Sequence, residues 1–273
     1  MRNIKLLAFL AAVTLFAFTS CNKEKPADKV DGAYKGYTLA SSNFFSEMFD
    51  ADQSLTLTKV AENTVDVNYS PSTWGAFAIS GALLEGKEAP FTLSGNGSVK
   101  MPYMQGEMKE YACSLTATVY GANSDKNVFT FNVPGVMGGT KVVFYTDAPS
   151  LAYYVAGNYD GTVAYGVGGT DYDPVDATVK LTKSESGKVN IALPEIGSGQ
   201  MSIPALEIND VEVTTTDNVV FTLVEKEVSL TVGSVTYAGK VSGTYTNDNL
   251  TLNYSLKPGA MPMYINFVFT GKK

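Results

Sequence analysis

The sequence predicts an all-β protein built as two tandem antiparallel barrels of eight strands each. Three observations predict it. The opening motif Val30-Asp31-Gly32-Ala33-Tyr34-Lys35-Gly36 returns as Val155-Ala156-Gly157-Asn158-Tyr159-Asp160-Gly161. Short runs rich in Val, Thr, Tyr and Phe alternate apolar with polar residues, the period-two pattern of half-buried strands. Glycine, proline, Asn and Asp lie between those runs, where hairpin turns need them.

The repeat extends well past its opening. Leu57-Thr58-Lys59 answers to Leu181-Thr182-Lys183, 124 positions on. Val65-Asp66-Val67 answers to Val189-Asn190-Ile191, and Phe91-Thr92-Leu93 to Phe221-Thr222-Leu223. Tyr111-Ala112-Cys113 answers to Tyr237-Ala238-Gly239. Asn127-Val128-Phe129-Thr130-Phe131-Asn132 is matched to Asn249-Leu250-Thr251-Leu252-Asn253-Tyr254. A period this long exceeds any solenoid repeat and means two domains, 30–147 and 153–273.

Before them stands a leader. Arg2 and Lys5 precede the apolar run Leu6–Phe18, which is too short for a membrane span and has the build of a secretory signal. Small residues Thr19 and Ser20 lead to Cys21. This order resembles a bacterial lipoprotein signal, although Phe18 stands where that family more often has Leu. The resemblance implies cleavage of residues 1–20 and acylation of Cys21, hence a membrane contact through a lipid anchor. Residues 21–29, polar and charged with Pro26, read as a tether. Charged residues just after such a cysteine resemble the tethers of surface-exported lipoproteins of the Bacteroides group. The expected location is the outer membrane or the cell surface.

Composition removes several function classes. Losing Arg2 and Lys5 takes the net charge from −7 to −9, so nucleic acid, which needs a basic face, is not an expected partner. The chain has no histidine, which removes Ser-His-Asp and Cys-His catalysis, imidazole bases and His-containing metal sites. With Cys21 acylated, Cys113 is left alone; alternation from Tyr111 to Val119 makes it a small core residue. Asp171, Asp173 and Asp176 gather oxygen ligands in what reads as a loop. The segment lacks the glycine and distal glutamate of an EF-hand, and neither a metal nor a cofactor is expected.

In the first repeat, strands are expected at 32–39, 54–59, 64–69, 76–83, 99–103, 109–119, 127–133 and 140–146. One segment departs from the pattern. Phe44, Phe45, Met48 and Phe49 have the spacing of one face of a short helix, and the second repeat has no apolar counterpart. The only tryptophan, Trp74, lies in the turn-like Ser70-Pro71-Ser72-Thr73-Trp74-Gly75. Trp74 with Phe44, Phe45 and Phe49 is therefore the candidate binding set, because aromatic rings offer flat apolar faces and indole a donor. The apolar stretch Leu151–Val155 after the boundary is not built as a free linker, and Tyr153 or Tyr154 is expected in a contact between domains. In the second repeat, strands are expected near 157–163, 177–183, 188–193, 200–203, 206–214, 219–223, 227–231, 235–242, 249–256 and 264–270.

The two Gly-x-Tyr-x-Gly openings, the Leu-Thr-Lys strand ends and the closing Phe267-Val268-Phe269-Thr270-Gly271 resemble the calycin-like β-barrel domain of Bacteroides-type lipoproteins. The first repeat closes on Phe144-Tyr145-Thr146-Asp147 without the final glycine. The resemblance spans both repeats and implies lipocalin-like barrels, with no activity to carry over. The functional expectation is a non-catalytic, lipid-anchored binding protein whose ligand is a glycan, a small apolar molecule or a protein. An accessory subunit of an envelope complex is the alternative. A hydrolase would have to work through carboxylates such as Asp66, Glu85, Asp171 or Asp173, and no pair among them stands out.

Overall fold

A computed structural model describes residues 24–103, 107–197 and 202–273. The expected leader, Cys21 and the start of the expected tether lie outside the described residues. The chain divides after Ala148 into two compact units, described separately below.

The first unit opens with a short helix, α1 (Pro26–Val30), followed by eight strands. These are β1 (Gly32–Ser42), β2 (Phe45–Ala61), β3 (Thr64–Tyr69), β4 (Ala76–Glu85), β5 (Phe91–Pro102), β6 (Met108–Val119), β7 (Val128–Val133) and β8 (Thr140–Tyr145). Each pairs antiparallel with the next, and β8 returns to β1 through Tyr37 opposite Tyr145. The barrel is closed, which removes every exposed edge. Phe129, Phe131 and Val133 point inward while Thr130 and Asn132 do not, so the alternation read from the sequence is the in–out pattern of the wall. Tyr34, Tyr69, Phe77, Phe91, Phe129, Phe131 and Phe144 fill the interior. An eight-stranded barrel has an inside just wide enough for such a set.

The Gly-x-Tyr-x-Gly motif closes the barrel. Tyr34 is fully buried and its hydroxyl donates to the Val30 carbonyl at 2.6 Å, capping α1. The second glycine sits at the joint between first and last strands. A Cβ on Gly36 would lie 1.8 Å from the Tyr145 carbonyl oxygen, so only glycine lets β8 approach. The helix covers one end of the barrel with Ala27 and Val30, both fully buried. This corrects the tether reading for residues 26–29. The Ala27 N–H donates to the Glu62 carbonyl at 3.1 Å, and ion pairs join Lys25 to Glu62 and Lys59 to Asp28. Charged residues here are the outer face of a plug whose two apolar residues point inward.

The second unit repeats the plan with α2 (Ala152–Val155), β9 (Gly157–Val167), β10 (Thr170–Lys183), β11 (Val189–Leu193), β12 (Leu206–Val211), β13 (Val213–Thr215), β14 (Phe221–Val232), β15 (Val235–Thr246), β16 (Asn249–Pro258) and β17 (Ile265–Lys272). Tyr159 donates to the Val155 carbonyl at 2.6 Å, and a Cβ on Gly161 would meet the Thr270 carbonyl oxygen at 2.0 Å. The capped plug and the glycine joint are thus built twice. The nine strands form one sheet whose ends, β12 and β13, are successive pieces of one segment bent at Glu212. The Glu212 carbonyl accepts from the Val224 N–H at 2.9 Å, and the Lys226 ammonium donates to the Asn209 carbonyl at 2.5 Å, drawing the sheet ends together.

A shared bulge explains one candidate carboxylate. Register shifts between Val65 and Val67, and again between Val189 and Ile191. On the facing strand, Gly81 and Asp210 carry φ of +63° and +54°. Their N–H groups donate to Asp66 Oδ1 at 2.7 Å and to Asn190 Oδ1 at 2.9 Å. Asp66 is therefore a bulge cap. An amide serves equally well at Asn190, because the position needs only an acceptor.

Several expected elements differ. The 44–49 segment is not helical. It turns at Asn43-Phe44 between β1 and β2, and its period comes from two bulges discussed below. Residues 171–176 are strand β10 with a register shift between Tyr172 and Val175, not a loop. The expected strands 219–223 and 227–231 are one strand, β14, shifted between Leu223 and Lys226. The expected strand at 99–103 is the second half of β5. The expected strand at 200–203 is represented by the bridge Ile196–Ile203, part of it outside the described residues. The Asn127/Asn249 match is one residue out of register. Phe144 faces Phe129 and Phe269 faces Leu252, so Phe129 corresponds to Leu252, not Thr251. Tyr154 stacks on Phe221 with centroids 5.3 Å apart, and Lys183 sits 5.0 Å over Tyr153, so both rings have partners within their own unit.

Candidate functional site

Each barrel has a helix-covered end and an opposite mouth. In the first barrel the mouth gathers the β1/β2 hairpin tip, the 70–75 loop and the β7/β8 loop, where Asn43 donates to the Gly138 carbonyl at 2.8 Å. Which hairpin residues point inward is decided by two bulges on β2. Leu57 and Leu55 face the core. Register then jumps from Gly36 opposite Gln53 to Thr38 opposite Asp50, with Asp52 at φ +54°. Thr38 is fully buried and its hydroxyl is hydrogen-bonded to that of Tyr69, so Thr38 faces in. Directly opposed residues share a face, and Asp50 faces in with it. Without the bulge its even number would turn it outward. A second shift, between Ala40 and Ser42, restores Phe45 to the inner face.

Of the candidate set, the fold brings together Trp74 and Phe45 and separates the other two. Trp74 is only 5% exposed and stacks on Phe45, centroids 5.4 Å apart and planes 27° from parallel. Phe49 lies on the outer face against Tyr37, and Phe44 stands at the hairpin tip, 78% exposed. Gly75 carries φ +78° and lies so close to β5 that a Cβ would come within 2.2 Å of the Lys100 carbonyl oxygen. That contact pins the 70–75 loop across the mouth and holds the indole over the core. Sequence reasoning missed Asp50, Thr38 and Tyr69, because their inward direction comes from a bulge.

The site is polar beneath an aromatic cover. Thr73 Oγ1 donates to Asp50 Oδ1 at 3.0 Å, and the Ser72 N–H donates to Gln53 Oε1 at 3.4 Å. Tyr69 is packed between Phe77 and Phe131, with burial raising its pKa well above the usual phenol value. Two buried polar atoms of the mouth make no hydrogen bond within the protein, Asp50 Oδ2 and Trp74 Nε1. Leaving such atoms without a partner costs about 1–3 kcal/mol each.

At the second mouth the same positions are apolar. Val163 and Val175 replace Thr38 and Asp50, and Leu193 replaces Tyr69. Tyr165 and Tyr172 stack with planes 4° from parallel where the first barrel has Ala40 and Met48. Ile196 and Ile203 lie with Val167, Ile265 and Phe267 around a void of about 10 Å³, too small for a ligand. The Tyr254 hydroxyl is buried there without a partner. On the outside, an open groove of about 660 Å³ is lined by Glu227, Lys240, Ser255 and Asn266, with Lys240 paired to Glu225 at 2.9 Å.

Cys113 is buried, and desolvation pushes its thiol up to about 11, which makes it a core residue and a poor nucleophile. Glu85, Asp171 and Asp173 are exposed, and the four carboxylates considered for hydrolysis are divided between the two units. Among the described residues no cluster of three metal-ligating side chains occurs.

A closed meander barrel with a helix under one end and a covered mouth at the other is the build of small binding barrels of the lipocalin type. The family model for the calycin-like β-barrel domain matches residues 30–148 and again 155–272, and the chain belongs to that family. No curated protein matches the chain. Among solved structures it is similar to a candidate outer membrane protein from Bacteroides fragilis, with a TM-score of 0.78 and 27% identity, covering 91% of this chain and 100% of that one. A protein of unknown function from Nostoc punctiforme matches with a TM-score of 0.26 and 12% identity, over 89% of this chain and 95% of that one. Transferrin Binding Protein B from Haemophilus parasuis matches with a TM-score of 0.23 and 11% identity, over 89% and 59%. At TM-scores this low the last two carry no argument.

Proposed function

We propose that this chain is a lipid-anchored, non-catalytic binding protein of the outer membrane or cell surface, and that its ligand enters the mouth of the first barrel. The observation that carries the reading is the Phe45–Trp74 cover over an interior holding two polar atoms without partners. The second barrel replaces Thr38 and Asp50 with valines and, among its described residues, leaves one such atom, the Tyr254 hydroxyl. The absence of histidine from the sequence and, among the described residues, of any cluster of three metal-ligating side chains supports binding over catalysis. The lipoprotein-type leader ending at Cys21 and the likeness to the Bacteroides fragilis protein support the location.

Trp74 is the sole tryptophan, so selectively excited tryptophan emission reports this mouth alone. Extraction of the mature protein from its own envelope, followed by native mass spectrometry, is expected to show a bound mass that leaves on unfolding. Its loss is expected to shift Trp74 emission. A bare mass with unchanged emission refutes the site. For the anchor, Cys21→Ala is expected to move the protein from the membrane to the soluble fraction; retention in the membrane refutes it.

A second reading, an accessory subunit of an envelope complex, rests on a different observation. Phe44, Met48 and Met137 are 78%, 43% and 53% exposed at the same mouth, an apolar rim suited to a protein partner. A protein that co-purifies with the chain and is lost on Phe44→Ser would favour it.

A further inference from the structure

We infer that the ligand of the first barrel is a neutral, hydroxyl-rich molecule, an oligosaccharide in chemical class, held by Asp50 and Trp74. The inference rests on the binding reading above and adds the chemistry of the ligand.

The two polar atoms without partners have opposite needs. Asp50 Oδ2 is an acceptor, with its sister oxygen already engaged by Thr73. Trp74 Nε1 carries a hydrogen and can only donate. A cationic ligand would satisfy the carboxylate but offers nothing to the indole N–H. An anionic ligand would satisfy the indole but brings a second negative charge to Asp50 in a poorly solvated mouth. A purely apolar ligand leaves both atoms without partners and seals them from water. A hydroxyl donates and accepts, so one hydroxyl or two neighbouring ones answer both needs without adding charge.

The surroundings agree. Phe45 and Trp74 stack on each other, so the half-buried Phe45 ring is the apolar face offered to the C–H side of a pyranose, while the buried Trp74 contributes its N–H. Thr38, Tyr69 and Thr73 add hydroxyl groups, each able to turn between donor and acceptor. The second mouth has Val163, Val175, Ile196 and Ile203 in these places and, of such polar atoms, the Tyr254 hydroxyl instead of a carboxylate and an indole, so it serves as an internal control for the Asp50 and Trp74 pair.

The test uses the full mature chain and four probe classes: neutral oligosaccharides built on glucose, galactose, mannose and N-acetylglucosamine; galacturonate oligomers; spermidine; and dodecanoic acid. Trp74 emission and titration calorimetry are the readouts. At least one neutral oligosaccharide is expected to shift the emission. Trp74→Phe keeps an aromatic face but deletes the donor, and Asp50→Ala deletes the acceptor. Each is expected to weaken calorimetric affinity about tenfold or more, the worth of one hydrogen bond to a buried partner. Asp50→Asn keeps an acceptor for Thr73 and covers the case in which the alanine variant fails to fold. It is expected to weaken binding as well, because the amide turns the open acceptor into a donor. Sugar binding that is unchanged in these variants overturns the inference. A shift caused by dodecanoate or spermidine alone overturns the hydroxyl chemistry, a shift caused by galacturonate alone overturns the neutrality of the ligand, and either leaves the mouth as the binding site. Silence from all four classes, with a single water bridging Asp50 and Trp74 in a high-resolution crystal structure, overturns both.

Discussion

The two barrels share a frame and differ at one end. At the helix-covered end each tyrosine caps its helix carbonyl at 2.6 Å, and each joint glycine meets a carbonyl oxygen that leaves no room for a side chain. At the other end, Thr38, Asp50, Tyr69 and Trp74 stand where the second barrel places Val163, Val175, Leu193 and the isoleucines of its 194–205 loop. The shared parts are those that closure demands. The differing parts sit where closure demands nothing, and there one barrel has kept polar groups that burial alone disfavours. A duplicated fold thus separates the residues that closure demands from those it leaves free to vary.

The comparison can be broken hardest at the glycine joint. Gly36→Val and Gly161→Val each drive Cβ into a carbonyl oxygen, and each is expected to abolish cooperative folding of its own barrel, a loss of more than about 4 kcal/mol. Calorimetry on the full chain should show one transition lost and the other kept; loss of both would mean that the barrels do not fold as independent units. Residues 149–273 made alone are expected to melt cooperatively.

Alkaline pH tests what the barrels share. Burial raises the pKa of Tyr34, Tyr69, Tyr159 and Tyr254 in the folded state. In the unfolded chain these phenols ionise near 10.0. The folded state therefore holds protons that the unfolded state releases. The stabilisation is complete below pH 10 and is lost as pH rises through and above it, at about 1 kcal/mol per buried phenol by pH 11. Melting temperature between pH 8 and 11.5 measures it, and a flat profile would contradict the burial.

Smaller effects sharpen the picture. Tyr34→Phe and Tyr159→Phe each leave a buried helix carbonyl without its donor and are expected to cost about 1–3 kcal/mol, alike in the two barrels. Unequal losses in chemical denaturation would show that the caps are not equivalent. Asp66→Ala and Asn190→Ala remove the bulge caps, at about 1 kcal/mol each. Asp66→Asn should be near neutral, since its counterpart is already an amide, and a large loss would restore a special role to that carboxylate. Phe44→Ser at the exposed tip is expected to change stability by less than about 0.5 kcal/mol.

Much of the frame was legible as strand-period alternation, and most strands lie within a few residues of where the apolar runs place them. The misreadings share a cause. A helix was expected at 44–49 because bulges at Asp52 and near Ser42 break the two-residue period and mimic a longer one. The Asn127/Asn249 match slipped because the turn at 247–248 is shorter than the 120–127 loop and each asparagine stands differently at its strand start. Residues 26–29 read as a tether because three of the four are polar, charged or proline, whereas a plug of one turn needs only Ala27 and Val30 to be apolar.

By itself the sequence determined the duplication, most of the strands, the paired Gly-x-Tyr-x-Gly openings and the absence of imidazole chemistry. Those follow from residue identity and from local period, which any stretch of chain carries with it. The tertiary structure alone decided that Asp50 faces inward, that Phe45 rather than Phe44 or Phe49 meets Trp74, and that the first mouth holds polar atoms without partners. In a strand, the direction of a side chain depends on every bulge between it and the rest of the core. A bulge is a property of two paired strands, which the sequence of one does not contain.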